Sequence, residues 1–287
     1  MTSEELPPEI GALLASLTEM PPSNDVTKVI AAALTQRPAY PLQTAPTDNE
    51  AAAFARAIDD VQHTLTLLSA DDWNTPSVNG LTVGELVGHL IGTQLGMASE
   101  LGLGGDTPAS SDHIESTRDS IAAVAVASPA AAAAEFARVS NVLTDHLSQL
   151  DAQGLAVVSR FGDTAAKISF LLVVRMFELW THDNDLRRAV GFDTVEPDAD
   201  RLWMMTHTVM PEVDRIGGDR LRIVLTGAGG GVWPASADEI AEIAVDSVAF
   251  CRRVANRTPI AGLHAEITGD LAAANETLSA LATLALD

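Results

Sequence analysis

The sequence predicts an α+β protein that is mostly α, with an antiparallel four-helix bundle followed by a smaller α+β domain. Three observations carry that expectation. Between residues 49 and 190, several segments repeat apolar side chains every three or four positions, the spacing of one helix face. The breaks between them are short, which favours antiparallel neighbours. Beyond Pro197 the texture changes to alternating strand-like and helical stretches. A chain of 287 residues has room for two cores at about 150 residues per domain, and its 47% hydrophobic content is enough to offset the entropy of ordering. The expected division is an extension at 1–48, the bundle at 49–195 and the α+β domain at 196–287.

The extension is Pro-rich, with short apolar pieces at 10–17 and 26–34. It reads either as one or two short helices packed on the main body or as a partly disordered tail. From residue 49, Phe54, Ile58, Val61, Leu65 and Leu68 define the first bundle helix. Thr82 with Glu85 three residues on is a capping box, opening a second helix through Leu86, Leu90 and Leu95 to about residue 101. Residues 111–150 are helix-forming and Ala-rich. Pro129 after Ser128 marks a new start, so the segment is one kinked helix or two. A loop at 154–163 precedes a helix over 164–190, which stops at the expected C-cap residue Gly191. Further on, 198–216 reads helical, 220–226 as a strand, 227–231 as a glycine turn, 237–256 as a helix, 264–268 as a strand and 271–285 as a helix.

Charge narrows the partners. Seventeen basic against 39 acidic residues give a net charge of −22, which repels a phosphate backbone and argues against nucleic acid. The most apolar stretch, 168–180, is interrupted by Arg175 and Glu178 and is shorter than the roughly 20 residues a bilayer needs, so no membrane role is expected. A single cysteine, Cys251, forms no internal disulfide, and no signal-peptide pattern opens the chain. A reducing cytoplasm is the expected compartment. Cys251 itself reads as a buried apolar residue.

The chemistry-bearing residues cluster in two helices. Glu178 and His182 are four apart, so both project from one face and can grip a metal at two points. His89 lies among Leu86, Val87, Gly88, Leu90, Ile91 and Gly92, where an imidazole needs a partner: a hydrogen-bonded core histidine or a ligand. Asp185 is placed to accept the second ring N–H of His182, or to pair with Arg188. Arg175, one turn before Glu178, either binds a substrate carboxylate or neutralises Glu178. The tryptophans at 73, 180 and 233 read as packing residues, with Trp180 alternatively lining a metal pocket. His63, His113 and His146 read as solvent-facing, and His207 and His264 have no spaced partner.

Two ordered motifs carry a resemblance. Asp72-Trp73 with Leu81-Thr82-Val83-Gly84-Glu85-Leu86-Val87-Gly88-His89-Leu90, and the run from Arg175 through Glu178, His182, Asp185, Arg188 and Ala189 to Gly191, resemble the mycothiol-dependent maleylpyruvate isomerase family. That family lies within the DinB-like bundle superfamily. The family's sterol-carrier-like second domain is echoed by Leu221-Arg222-Ile223-Val224-Leu225-Thr226-Gly227 and by Glu266-Ile267-Thr268-Gly269-Asp270. The connector Ser77-Val78-Asn79-Gly80-Leu81 departs from the family's Cys/Pro-Gly-Trp run.

The resemblance implies a divalent metal, usually zinc, held by His89, Glu178 and His182. Three N/O ligands leave a fourth position open, as in catalytic zinc sites. It also implies mycothiol as a small-molecule thiol cofactor, a small electrophilic substrate, and Arg257 as a late arginine contributing to catalysis; Arg175, if it binds substrate, is the second catalytic candidate. Asn256 stands where the family's pattern has glycine. The implied reaction is thiolate addition to an activated double bond, rotation and elimination, or a net S-transfer. The alternatives are a metal hydrolase using zinc-bound hydroxide, or a non-enzymatic binding protein that retained the bundle.

Overall fold

The structure is a computed structural model that describes residues 45–104, 115–161 and 164–285. The pieces expected at 10–17 and 26–34, and His113, lie outside these residues. Glu50–Leu67 (α1) begins where Asn49 accepts the Ala52 amide hydrogen at 2.9 Å, and it buries Phe54, Ile58, Val61 and Leu65 as their spacing requires. Val83–Glu100 (α2) opens with the expected capping box. Thr82 accepts from the Glu85 amide at 3.2 Å, and the Glu85 carboxylate accepts from the Thr82 amide at 2.8 Å.

The Ala-rich segment forms two helices, Arg118–Val126 (α3) and Pro129–Leu147 (α4). Ser128 caps the second, and Pro129 occupies its first turn, where a missing amide hydrogen costs nothing. One short turn, Ala152–Leu155 (α5), leads to a hairpin of Val158–Phe161 (β1) and Thr164–Lys167 (β2). Residues 164–167, expected to open the last bundle helix, therefore lie in a strand. Ile168–Ala189 (α6) starts after it and closes with paired bonds, Phe192 amide to Arg187 carbonyl at 2.8 Å and Gly191 amide to Arg188 carbonyl at 3.3 Å. Gly191 has φ 78°, the left-handed conformation that glycine adopts without a Cβ penalty.

Helices α1, α2, α4 and α6 make the four-helix bundle: α1 packs on α6 and α4, and α2 packs on α4 and α6. Phe54, Leu86, Leu90, Phe136, Leu143 and Met176 are fully buried at its centre. Truncating one of the phenylalanines to alanine would cost about 3–5 kcal/mol. α3 lies unusually close to α2. A Cβ on Gly88 would sit 2.7 Å from the Ile121 Cα, and one on Gly92 2.7 Å from the Thr117 Cβ.

Ala199–Val213 (α7) contacts α6 and α1, and leads into the smaller α+β part. Its sheet runs β4-β3-β5-β6, from Leu221–Thr226 (β3), Gly231–Trp233 (β4), Ala241–Asp246 (β5) and Glu266–Gly269 (β6). The 227–231 glycine segment is the β3–β4 turn, as expected. Ser247–Val254 (α8) and Leu271–Ala280 (α9) complete this part, with a final turn at Leu281–Leu284.

The helix expected over 237–256 is corrected here, because its first half is β5. Ala and Glu favour helix locally, yet Ala241, Ile243 and Val245 alternate with Glu242 and Ala244, the two-residue period of a strand. β5 pairs in parallel with β3 and antiparallel with β6, so tertiary pairing overrides local propensity. Asp246 ends the strand and caps α8 through the Val248 and Ala249 amides.

Asp198 joins the two parts. It caps α7 through the Arg201 amide at 3.0 Å, and accepts from Arg201 Nε at 2.8 Å and from Arg56 Nε of α1 at 3.0 Å. Partial burial would raise its pKa, but the bonds from Arg56 and Arg201 outweigh that and lower it to about 2. A carboxylate depressed on folding stabilises fully above its ordinary value near 3.8, and that contribution is lost as pH falls through the folded value. Asp198→Asn keeps a capping oxygen and removes the charge. Its urea midpoint at pH 7 should fall by the equivalent of about 1 kcal/mol, a figure discounted for exposure, and the gap to the parent protein should narrow from pH 5 to pH 3. A gap independent of pH would contradict this account. No helix among the described residues is long and apolar enough to cross a membrane.

Candidate metal centre

α6 poses the question that the site answers. From residue 175 onward it buries Arg175, Glu178, Thr181, His182, Asp183, Asn184, Asp185 and Arg187, a polar run that is stable inside a protein only if its groups find partners. Part of the run is structural. Asn184 accepts the Val195 amide hydrogen at 2.8 Å and donates to the Val195 carbonyl at 3.0 Å, and Trp180 Nε1 donates to the same carbonyl at 2.9 Å. Trp180 thus packs the segment after α6 rather than lining the site. Arg187 Nε donates to Asp183 at 3.0 Å.

The remaining residues converge. Glu178 and His182 meet His89 of α2, and each offers a ligand atom within 4.8 Å of the others. Among the described residues this is the one such group of three. His89 is 1% exposed, His182 3% and Glu178 9%. His89 Nε2 lies 3.2 Å from Glu178 Oε1, and the two imidazoles meet edge to face with centroids 5.3 Å apart.

The other ring nitrogen of each histidine is occupied. His89 Nδ1 is hydrogen-bonded to Thr117 Oγ1 at 2.9 Å, and His182 Nδ1 to Asp185 Oδ2 at 3.2 Å. Asp185 makes both contacts foreseen for it, since Arg188 also reaches it at 3.4 Å.

Arg175 is buried and ion-paired with Glu178. Burial pushes its guanidinium below the usual value, while the Glu178 charge opposes that shift. Arg257 comes from the segment after α8 and forks onto Asp185, with Nε 3.1 Å from both oxygens and an end nitrogen 2.9 Å from Oδ2. Burial would raise the Asp185 pKa, but the bonds from His182 and Arg257 hold it below the usual carboxylate value.

The backbone of Asn256 explains how Arg257 is aimed. It adopts φ 54°, which Asn tolerates best among residues with a side chain. The Asn256 amide bonds to the Arg253 carbonyl at 3.0 Å and the Arg257 amide to the Arg252 carbonyl at 2.8 Å, the same helix ending as at Gly191.

Sequence reasoning missed Thr117 and the aromatic packing of His207. The signal for Thr117 was Gly88 and Gly92, four apart on either side of His89, a spacing that permits a backbone to press close. His207 stacks on Trp203 with centroids 3.7 Å apart and meets Trp233 edge-on at 5.0 Å. His63 and His264 are exposed, whereas His146 is half-buried.

Cys251 is fully buried, and burial pushes its thiol well above the ordinary value, with the charge of Asp246 adding to the effect. A thiol so placed is inert. Ellman's reagent should therefore react with no thiol in the native protein and with the one cysteine after denaturation. Cys251→Ala should keep metal content unchanged while costing about 1 kcal/mol of stability. Rapid labelling of the folded protein would revive a protein-thiol mechanism.

Residues 54–187 match the family model of the mycothiol maleylpyruvate isomerase N-terminal domain. The bundle is similar to this domain family. A crystal structure of the mycothiol-dependent maleylpyruvate isomerase superposes on the chain with a TM-score of 0.54 at 17% identity, covering 77% of this chain and 93% of that one. A histidine-to-alanine mutant of that enzyme gives 0.53 at the same identity and coverage. These likenesses extend the shared fold beyond the matched bundle. No curated protein matches the sequence.

Proposed function

We propose that the chain is a zinc-dependent, mycothiol-using enzyme that isomerises a small electrophile or transfers a thiol to it. The observation that supports this reading best is the convergence of His89, Glu178 and His182 on one buried point within a bundle similar to that domain family. The donor set suits the metal. Two imidazoles and one carboxylate match a catalytic zinc site with an open position, and with each Nδ1 donating, His89 to the Thr117 hydroxyl and His182 to the Asp185 carboxylate, both Nε2 lone pairs would be available to the ion. When bound there, such an ion supplies Lewis acidity that turns a small thiol into a thiolate near neutral pH.

In this reading the chain's own residues hold and orient. The Thr117 hydroxyl orients the ring of His89, and the Asp185 carboxylate fixes the tautomer of His182. Arg257 acts through Asp185, so the region 196–287 completes a site whose ligands come from 49–195. Arg175 balances the buried charge of Glu178, which would otherwise be costly. The reading is tested on protein purified without chelator, by zinc content and then by the ultraviolet thiolate absorbance of added mycothiol. Stoichiometric zinc and a lowered thiol pKa are expected. Zinc without any change in the thiol would favour hydrolysis, and absence of zinc would favour a binding protein.

A further inference from the structure

A cavity of about 370 Å³ opens beside the metal-capable cluster, with Glu178 and His182 among its lining residues. Its size is that of a small-molecule site. Four parts of the chain build its walls: Phe170, Val173 and Phe177 of α6, Val209 of α7, Val254 of α8 and Leu284 of the last turn. Among the described residues, no arginine or lysine lines it. The nearby guanidinium groups are directed elsewhere, Arg175 onto Glu178 and Arg257 onto Asp185 and the Ala255 carbonyl.

Most of the lining polar groups are poor partners for an anion, and Thr208 adds one neutral hydroxyl. The Thr181 hydroxyl donates to the Phe177 carbonyl at 2.9 Å and the Thr283 hydroxyl to the Ala280 carbonyl at 2.7 Å, so both hydrogens are committed within their own helical turns. Glu212, also lining the cavity, adds a carboxylate whose partner is the exposed Arg215, 2.9 Å away. A metal held by the cluster would offer positive charge at one end only. Every further carboxylate of a ligand would lose its hydration against largely apolar walls, with no lining arginine or lysine and only the neutral Thr208 hydroxyl beside the committed ones to replace it. The net charge of −22 adds long-range repulsion of dianions.

We infer that the cavity selects a neutral, largely apolar small molecule rather than a dicarboxylate. As a statement about the substrate this rests on the thiol-enzyme reading. As a statement about binding it does not, and the two are tested apart. The probe is the neutral fluorophore N-phenyl-1-naphthylamine, displaced by diethyl maleate or by maleate, which share one carbon skeleton and differ in charge.

Diethyl maleate should displace the fluorophore at a concentration at least 10-fold lower than maleate, in zinc-free and zinc-loaded protein alike. Val209→Trp and Leu284→Trp, which fill the cavity from opposite parts of the chain, should each weaken fluorophore binding at least 10-fold. Circular dichroism identifies either variant that fails to fold, leaving the other to decide. Equal or tighter displacement by maleate, or fluorophore binding that survives a folded filling variant, would overturn the inference. Ester selectivity in a protein that takes up no zinc even when the ion is supplied would sink the thiol-enzyme reading and leave the inference about binding standing. Zinc and thiol activation accompanied by a preference for maleate would do the reverse.

Discussion

His182→Ala is expected to lose bound zinc and any thiol-activating capacity together, while far-UV helicity stays close to that of the parent protein. The remaining donors, His89 and Glu178, come from two different helices and give only a two-point grip. Altering a residue that merely orients a ligand costs 10–100-fold in metal affinity, so deleting the ligand itself should cost at least about 100-fold. The fold should survive, because α6 is anchored on both sides of position 182 by Leu172, Met176, Leu179 and Leu186, all buried. The loss at the site is local: Asp185 keeps its bonds from Arg257 and Arg188 after the imidazole is gone. Metal analysis beside circular dichroism checks this, and stoichiometric zinc in a folded variant would show that the ligands are wrongly assigned.

That such a prediction can be traced back to the sequence reflects where the information lies. Glu178 and His182 are one helical turn apart, so their common face follows from helix geometry alone, and the Thr82 cap likewise needs only local spacing. His89 was ambiguous by itself. A lone imidazole on an apolar face is compatible with a core hydrogen bond or with a metal, and in the structure its two nitrogens meet Thr117 and Glu178, contacts 28 and 89 residues away in the chain. Arg257 reaches Asp185 across 72 residues, a pairing that no local pattern encodes.

The strand at 241–246 was obscured for a related reason. Its Ala and Glu residues suit a helix, and only its place between β3 and β6 makes the alternation of Ala241, Ile243 and Val245 decisive. The 164–167 strand is similar, because its pairing with Val158–Phe161 draws it away from the helix that follows.

Gly92→Ala should weaken zinc binding about 10–100-fold although the residue is neither one of the three candidate ligands nor a lining residue of the cavity. Its new Cβ would lie 2.7 Å from Thr117 Cβ, 2.8 Å from Cγ2 and 3.0 Å from Cα, closer than such atoms pack, so Thr117 must move. The Thr117 hydroxyl is the group bonded to His89 Nδ1, and displacing it frees the imidazole to turn away from the cluster. Two opposing terms set the effect on stability. Alanine in place of a helical glycine contributes about 1 kcal/mol of stabilisation, whereas overpacking costs about 1–3 kcal/mol. The net change is therefore small or moderately destabilising, and metal affinity is the sharper readout. Thr117→Ala should reproduce the affinity loss without the clash, and the double variant should lose little more than either single one, since both act through the same hydrogen bond. Isothermal titration with zinc measures all three. Parental affinity in Gly92→Ala, or fully additive losses in the double variant, would mean that the close approach of α2 and α3 serves packing alone.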